Sequence, residues 1–396
     1  MSVEAVVPAG VRERVAELVK AGETPAFVYD LAGLREHAGR VRAAFAAGPV
    51  EVFYAAKANA DAPVLRALAP HVHGIEVSSG GELAHVRDVL PEAPLAFGGP
   101  GKTPAELAAA VAAGARIHVE SPAELARLGA LGEPVEVLLR ANPPLAVADA
   151  ALAMGGAATP FGMDETQLAA CADLLRDTPS VRVRGLHAHL ASGLDAPQLV
   201  KLAARLLDWG RDWCDRYGVA GPEFNLGGGM GVDYGDPGRL FDWAAYASGL
   251  GGLAGAGERL RIEPGRAVTA YCGFYVTTVL DLKPSHGEWF AVLQGGTHHL
   301  RTPVTKGHDQ PFAVLPGGGD PHPGSRELPP PARHGAPVTL VGQLCTPKDV
   351  FARAVTAGRL EIGDTVVFAM SGAYAWNISH HDFLMHPKPA FHYVGG

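Results

Sequence analysis

Short apolar runs alternate with segments rich in alanine and leucine from residue 51 onward. Strands that are apolar at consecutive positions are typical of parallel sheets, in which both faces are buried. We predict eight such strands, at 51–56, 74–77, 95–98, 116–119, 135–140, 185–190, 223–227 and 260–263. Helices are predicted between them, for example at 61–68, 80–89, 103–113, 121–130, 165–176 and 196–217. This order predicts an α/β fold, a TIM-type (β/α)₈ barrel, with a doubly wound open sheet as the alternative.

The pattern changes after residue 267. Residues 268–282 and 288–293 alternate in polarity and are rich in β-branched and aromatic side chains, which predicts strands. Further strands are predicted at 336–342, 364–370 and 391–394, whereas 303–335 is dense in Pro, Gly and His and is predicted as loop. We therefore expect a barrel domain at 25–267. A mostly β, sandwich-like or barrel-like domain is expected at 268–396, together with 1–24.

Composition narrows the class of protein. A chain of 396 residues with 47% apolar and 19% charged residues suits a compact enzyme with a large core. A net charge of −8 without a basic run argues against nucleic acid and anionic membranes as partners. The four cysteines are scattered, as expected for free thiols in a reducing compartment. No stretch resembles a signal peptide or a membrane span, so we expect a cytoplasmic protein.

Lys57 directly follows the apolar run 53–56. In a barrel, the carboxyl ends of the strands form the active-site face. A lysine there has its stem in the core and its amine at the rim. Partial desolvation would lower the pKa of this amine and make it available for a Schiff base. The alternative is a lysine that merely extends to the surface at a strand end.

Other predicted strand ends also carry polar side chains or glycine. Gly227, Gly228 and Gly229 would let backbone N–H groups approach an anion, although such a run can also be a simple flexible turn. Glu263 ends the closing strand, beside the first strand, so a ligand near the lysine could also meet this carboxylate. A carboxylate there would keep a pyridine nitrogen protonated.

Two histidines stand two positions apart at the end of the sixth predicted strand. Of His187 and His189, we expect only one to face the site, and we choose His189, whose imidazole can stack on a flat ring. A zinc site at these residues, at His298-His299 or at His380-His381 is the weaker interpretation, because no cysteine or acidic residue has ligand spacing to them. We predict no metal.

The segments YAAKAN, HAHLASG, FNLGGGMG, EPGR, GQLCTPKD and SGAYAWN, in this order, resemble the fold-type III pyridoxal-phosphate decarboxylases, the diaminopimelate and ornithine decarboxylase group. The resemblance extends over residues 24–394 and implies an alanine racemase-like barrel, pyridoxal 5'-phosphate as cofactor and a homodimer with shared active sites. It implies cofactor contacts from Lys57 (the Schiff base), Glu76 (near it), Arg140 (phenolic oxygen), His189 (ring stacking), Ser192, Gly227, Gly228 and Gly229 (phosphate), Glu263 (pyridinium nitrogen) and Tyr374 (closure of the site).

By the same resemblance, Cys345 would protonate the α-carbon after carbon dioxide leaves, and would reach the site from the partner subunit. The alternative for this cysteine is a small buried apolar residue, as free cysteines often are. Its setting, Gly342-Gln343-Leu344-Cys345-Thr346, favours the catalytic interpretation.

The chain departs from its relatives at the substrate-reading positions. The acidic residue that follows the cysteine in diaminopimelate and ornithine decarboxylases is Thr346 here, and a neutral side chain cannot form a charge-assisted bond to an ammonium group. Arg266 and Arg301 remain to bind anionic groups, although the tyrosine usually found shortly after Arg301 is missing. GGTHHLRTP and SHHDFLMHPKP look like a branch that acts on conjugated amino acids in siderophore or antibiotic biosynthesis.

We therefore predict α-decarboxylation of an amino acid whose side chain carries a conjugate, as a small molecule or on a carrier. One alternative is decarboxylation of diaminopimelate or of a free basic amino acid, and a racemase on the same barrel is another. An alternative of a different class is a non-catalytic homologue that binds the cofactor. Homologues of that kind tend to lose the lysine or the cysteine, and this chain has both Lys57 and Cys345.

Overall fold

The computed structural model describes residues 6–145, 152–316, 332–335 and 337–396. The chain forms two compact units. The barrel unit contains Arg35–Val232 and Leu240–Val268, and the β unit contains Met1–Leu34, Asp233–Arg239 and Thr269–Gly396.

Eight parallel strands close into a ring in the barrel unit. They are Val50–Ala55, Gly74–Val77, Leu95–Phe97, Arg116–Val119, Val135–Arg140, Val181–His187, Glu223–Asn225 and Arg259–Ile262. The ring closes because the last of these strands pairs with the first, Leu260 opposite Val50. The predicted (β/α)₈ barrel is confirmed and the open sheet is excluded. Consecutive apolar positions mark these strands because barrel strands are buried on both faces.

One helix precedes the first barrel strand, and one helix follows each of the first seven strands. They are Leu31–Ala44, Ala62–Leu68, Gly80–Val89, Pro104–Ala112, Pro122–Leu131, Glu165–Leu175, Ala196–Tyr217 and Trp243–Leu253. Several begin at a side chain that accepts the N–H of the third helical residue, as Ser79, Thr103 and Asp195 do. Such a cap stabilises a helix by about 1 kcal/mol. The last helix contains three glycines, which lower the helix propensity of the segment.

The β unit is built mainly of strands, as predicted. They are Ala26–Asp30, Gly273–Ser285, Glu288–Leu293, Phe312–Leu315, Ala332–His334, Pro337–Val341, Val350–Thr356, Arg359–Glu361, Thr365–Phe368 and Ala390–Val394. Ala26–Asp30 pairs antiparallel with Gly273–Ser285 and parallel with Ala390–Val394. This pairing places the segment before residue 35 in the β unit, whereas the predicted barrel domain begins at residue 25.

Parts of the second half differ from the sequence prediction. The predicted loop 303–335 contains the helix Thr302–Lys306 and the strand Phe312–Leu315, and its residues 317–331 lie outside the described part of the chain. The strand predicted from residue 268 begins only at Gly273, because a helical turn, Arg266–Thr269, and a short 3₁₀ turn precede it. The helix Ala9–Ala21 of the β unit ends at Gly22, whose left-handed conformation closes it. Among the described residues, no helix combines the length and the apolar character needed to cross a membrane.

Two adjacent histidines are buried in the β unit. The side chain of His299 lies 3.0 Å from the hydroxyl of Tyr275 through Nδ1 and 3.0 Å from the carbonyl oxygen of Pro387 through Nε2. Burial lowers the pKa of His298 to about 4 and the pKa of His299 to about 3. Both imidazoles are therefore neutral in the folded chain at neutral pH.

The free energy of unfolding should fall as the pH drops from about 6.5 toward 4. An unfolded histidine binds a proton near pH 6.5, whereas His299 in the folded chain does so only near pH 3, so the unfolded chain binds more protons between these values. The contribution of His299 is complete above pH 6.5 and should amount to about 1–3 kcal/mol. Urea unfolding at pH 7.5 and 5 should show a smaller difference for His299→Asn than for the wild type. The exposed turn residue His286 supplies the control, His286→Asn, which should keep the wild-type difference. If the difference between pH 7.5 and pH 5 became smaller by the same amount in both variants, His299 would not be the source of the pH dependence.

Candidate active site

Lys57 lies at the carboxyl rim of the barrel. It follows the first barrel strand, in the 3₁₀ turn Ala56–Ala58, and 45% of its side-chain surface is exposed. Its Nζ donates to Glu76 Oε2 at 2.7 Å and lies 3.3 Å from Ser78 Oγ. The hydroxyl of Ser78 in turn donates to Glu76 Oε1 at 2.9 Å. The amine is thus held by a buried carboxylate at the end of the neighbouring strand.

Glu263 follows the closing strand and is buried among side chains from three other strands. Its Oε1 accepts a hydrogen bond from Asn225 Nδ2 at 2.6 Å. His187 Nε2 lies 3.5 Å from Oε2 and His118 Nε2 lies 3.8 Å from Oε1. The two imidazoles stack at 4.3 Å between ring centroids, and burial holds the pKa of each well below its ordinary value. One carboxylate is therefore surrounded by neutral imidazoles.

His189 stands among the charged groups of the rim. Burial, followed by the positive charges of Lys57 and Arg140, lowers its pKa to about 4, whereas Glu263 and Glu76 oppose this effect. Its Nδ1 accepts the N–H of Gly228 at 3.1 Å. A neutral imidazole at this place can lie against a flat ring, as the sequence predicts.

The expectation that only one of the two histidines faces the site is wrong. His187 Nε2 lies 3.5 Å from Glu263 Oε2, and His189 is close enough to Lys57 and Glu263 for their charges to shift its pKa. The strand ends at His187, which contacts the surroundings of Glu263, and His189 lies just beyond it. The predicted strand 185–190 is thus shifted, because the real strand begins with exposed or half-buried arginines at 182 and 184.

The glycine run after the seventh barrel strand leaves no room for side chains. A Cβ on Gly228 would lie 2.4 Å from the carbonyl oxygen of Glu263, and one on Gly229 would lie 2.3 Å from that of Ala191. Gly227 and Gly229 also have positive φ angles of 68° and 101°. This backbone forms a cradle of the kind that accepts an anion, with Ser192 Oγ 3.5 Å from His189 Nε2 nearby.

Two N–H groups of this run have acceptors within the protein. Gly227 donates to Asn225 Oδ1 at 3.0 Å and Gly228 donates to His189 Nδ1. The sequence analysis expects all three glycines to face an anion, and their role in binding one stays a prediction.

Arg140 is fixed by Glu120, a residue that the sequence analysis missed. Arg140 Nη1 donates to Glu120 Oε1 at 2.6 Å. The same carboxylate accepts the N–H groups of Gly99 at 2.9 Å and Gly162 at 3.1 Å. The guanidinium is therefore held in one orientation at the rim. The available signal was the position of Glu120, directly after a predicted strand and before the helix cap Ser121.

The β unit holds Cys345, Thr346, Arg301 and Tyr374. Cys345 is exposed, whereas Cys171, Cys214 and Cys272 are buried. The buried-cysteine alternative therefore does not apply to Cys345.

Asp349 fixes the turn that carries Cys345. Its Oδ2 accepts the N–H of Leu344 at 2.8 Å, and its Oδ1 accepts the N–H of Thr297 at 2.6 Å. Burial raises the pKa of Asp349, although these two backbone N–H groups partly offset that rise. The cysteine turn and the segment that begins at Thr297 are thus bound to one carboxylate.

The remaining predicted residues are placed as follows. Arg301 Nη1 lies 3.1 Å from His380 Nδ1, and since arginine only donates, the histidine nitrogen is the acceptor. The carbonyl oxygen of Tyr374 accepts from Thr302 Oγ1 at 2.6 Å. Arg266 begins the helical turn after Glu263 in the barrel unit.

His118, His187 and Glu263 also have the spacing of metal ligands. Their potential ligand atoms lie within 4.8 Å of one another. Among the described residues, this is the one group of three histidine, cysteine, aspartate or glutamate side chains with that spacing. The sequence analysis did not anticipate this cluster, because His118 comes from a different strand. The amide nitrogen of Asn225, 2.6 Å from Glu263 Oε1, directs an N–H at the carboxylate, and a donor in that position disfavours a cation.

The barrel site suits a flat aromatic aldehyde that carries an anionic group. The Lys57 amine can bond to a carbonyl carbon. Glu263 is a buried carboxylate that can pair with a protonated ring nitrogen, and the glycine run has no room for side chains of its own. The residues present therefore fit a pyridoxal phosphate group.

Comparison with known proteins gives consistent matches. The family model described as "Pyridoxal-dependent decarboxylase, pyridoxal binding domain" matches residues 31–270. The chain is 38% identical to 2-[(L-alanin-3-ylcarbamoyl)methyl]-2-hydroxybutanedioate decarboxylase of Staphylococcus aureus, over 96% of this chain and 97% of that protein. It is 32% identical to L-glutamyl-[BtrI acyl-carrier protein] decarboxylase of Niallia circulans, over 95% of this chain and 90% of that protein. The structure of diaminopimelate decarboxylase from Helicobacter pylori, complexed with L-lysine, is similar with a TM-score of 0.83 at 23% sequence identity. The superposition includes 96% of this chain and 93% of the Helicobacter pylori chain.

Proposed function

The chain belongs to the family of pyridoxal-dependent decarboxylases, and we propose that it removes the α-carboxylate of an amino acid whose side chain carries a conjugate or a carrier. The observation that carries this proposal is the Lys57 amine, 2.7 Å from the buried Glu76 carboxylate at the rim of a barrel whose closing strand leads to Glu263. The full-length similarity to two relatives that are named for conjugated or carrier-bound amino acids supports the substrate class.

The residues proposed to hold pyridoxal 5'-phosphate are Lys57, Glu76, Arg140, His189, Ser192, Gly227, Gly228, Gly229, Glu263 and Tyr374. Lys57 would bind the cofactor covalently, Glu263 would pair with the ring nitrogen and the glycine run would hold the phosphate. Bound there, the cofactor supplies an electron sink for the charge left on the α-carbon when the carboxylate departs.

The protein's own groups then control protons and orientation. Glu76, in contact with Lys57 Nζ, can accept a proton from the amine and return it. His189, neutral above pH 4, presents an uncharged face, so it adds no positive charge beside the ring. Arg140, fixed by Glu120, offers a stationary cation for an anionic oxygen.

We propose that Cys345 delivers the proton to the α-carbon, and that it does so in the active site of the partner subunit of a homodimer. Exposure of this thiol, on a turn anchored by Asp349, supports the assignment. A thiol carried by a fixed turn can be covered by a second chain, which would exclude water from the reacting carbon.

Substrate choice is proposed to depend on Thr346, Arg266 and Arg301. Thr346 lacks the charge needed to pair with a distal ammonium group. The S. aureus relative is named for a hydroxybutanedioate conjugate, and a dicarboxylate of that kind is complementary to arginine.

The proposal is tested by measuring carbon dioxide release from a panel of substrates. The substrates are those named for the two relatives, together with free diaminopimelate, lysine and ornithine. We expect kcat/KM for a conjugated substrate to exceed that for diaminopimelate by about 100-fold or more. A site that hydrogen-bonds the polar conjugate leaves its own polar groups unpaired when a substrate without the conjugate binds, so it discriminates strongly against that substrate. Equal or faster turnover of free diaminopimelate would contradict the conjugate proposal. Turnover of none of the substrates by cofactor-loaded protein would favour a non-catalytic homologue.

Thr346→Glu should raise kcat/KM for free diaminopimelate by about 10- to 100-fold, because a carboxylate there restores a charge-assisted bond to the distal ammonium. Thr346→Gln has the same length without the charge and serves as the matched control. A gain in both variants, or in neither, would show that the charge at position 346 does not read the distal group.

A further inference from the structure

Asn225 is the last residue of the seventh barrel strand and is almost completely buried. Its Oδ1 accepts the N–H of Gly227 at 3.0 Å, and its Nδ2 donates to Glu263 Oε1 at 2.6 Å. A backbone N–H can only donate, so the contact with Gly227 fixes which end of the amide is oxygen. The amide nitrogen must therefore face Glu263.

The neighbouring histidines do not form short hydrogen bonds with the Glu263 carboxylate. His118 Nε2 lies 3.4 Å from Asn225 Nδ2 and 3.8 Å from the carboxylate. Within the described part of the chain, neither ring nitrogen of His187 has a hydrogen-bond partner, and the same holds for His118 Nδ1. The short hydrogen bond from Asn225 is thus the strong directional contact that Glu263 receives from these residues.

We infer that Asn225 is a positioning residue that couples the carboxylate at the cofactor's ring nitrogen to the glycine run at its phosphate, an inference that rests on the proposed function. One amide joins the two ends of the site: its oxygen holds the peptide of Gly227, and its nitrogen holds Glu263. Donation by the amide fixes the orientation of the Glu263 carboxylate.

Two substitutions separate these roles. Asn225→Asp keeps an oxygen for the Gly227 N–H but places a second carboxyl group against Glu263. Two carboxylates so close cannot both be ionised, so the pair should retain one proton to a pH about 2 units or more above that of an ordinary aspartic acid. While that proton is present, the new carboxyl donates to Glu263 as the amide does. Asn225→Ala removes both contacts.

Besides the amine of Lys57 and the carboxylate of Glu76, which both act on His189, the titratable groups described near Glu263 are the imidazoles of His118, His187 and His189. Burial lowers the pKa of all three, that of His189 to about 4, and the charges of Lys57, Arg140 and Lys102 act in the same direction. A new proton transition above that range in Asn225→Asp would therefore belong to the carboxyl pair.

The experiment records the visible absorbance of the full-length, cofactor-loaded protein across pH, together with the rate of cofactor release. Asn225→Asp should match the wild type at low pH and should depart from it through a transition that the wild type lacks. Asn225→Ala should release the cofactor about 10-fold or more faster at every pH, since it loses a hydrogen bond to a charged group. Thermal unfolding of each variant checks that it is folded.

Asn142→Asp is the matched control. Asn142 lies just beyond another barrel strand, where its side chain likewise accepts a backbone N–H, from Gly156, and donates to a backbone carbonyl, that of Ala157. This control should show no new transition. The inference would be wrong if the absorbance of Asn225→Asp changed with pH as that of the wild type does, or if Asn142→Asp showed the same new transition. Neither result would affect the proposed function. Absence of cofactor absorbance from the wild type would overturn the proposed function as well.

Discussion

Lys57→Ala is expected to abolish both decarboxylation and the visible absorbance of the bound cofactor. Lys57 carries the amine beside Glu76, and an alanine in its place has no nucleophile that can bond to an aldehyde carbon. Loss of a covalent nucleophile lowers kcat by on the order of 10⁴-fold or more. The measurements are carbon dioxide release and an absorbance spectrum after incubation with pyridoxal phosphate.

Two controls accompany this variant. Lys57→Arg keeps a cation beside Glu76, but guanidinium stays protonated and cannot act as the nucleophile, so it should also lose the absorbance. Lys201→Ala changes an exposed lysine of the helix Ala196–Tyr217 and should behave as the wild type. An unchanged spectrum in Lys57→Ala would assign the covalent bond to another lysine.

Cys345→Ala should lower kcat by about 100-fold or more while leaving the absorbance of the bound cofactor intact. General acids contribute on this scale, and the exposed thiol takes no part in holding the cofactor in the proposed site. Cys345→Ser tests the acidity of the group, because a hydroxyl of similar size is a far weaker acid and should remain impaired.

Mixing the two inactive proteins tests whether the sites are shared. If Cys345 acts in the partner's site, a dimer of one Lys57→Ala and one Cys345→Ala chain contains one intact site. Random exchange of subunits should then restore about a quarter of the wild-type activity, because half of the dimers are mixed and each of these has one site of two. No recovery after verified exchange would show that each chain completes its own site.

The barrel was predictable because its strands carry a strong local signal. Parallel strands that are covered on both faces carry consecutive apolar residues, as Leu95–Phe97 does. Val181–His187 lacks this signal in its first half, where arginines alternate with valines, and its start was therefore missed. The β unit was harder, because its strands have one polar face and short turns. Val350–Thr356 was missed because its second half is mostly exposed, at Arg353, Ala354 and Thr356, and shows no alternation.

The site was predictable where position alone defines a role. Lys57 and Glu263 stand at strand ends, and the barrel rule turns that position into a prediction. Asn225, Glu120 and His118 act through hydrogen bonds or contacts with other side chains, and sequence spacing does not show which side chains meet. Exposure of Cys345 likewise depends on tertiary packing, which sequence spacing does not show.

The carboxylate of Asp349 has a consequence for redesign of selectivity. It accepts hydrogen bonds from the backbone of two separate segments, one leading to Arg301 and one carrying Thr346. A change in the backbone path of either segment would leave a buried donor or acceptor without its partner, which destabilises the fold by about 1–3 kcal/mol. Grafting a foreign specificity loop into only one of them should therefore yield poorly folded protein. Residues 295–303 and 342–349 form a single transplantable module, and libraries for new substrates should exchange them together.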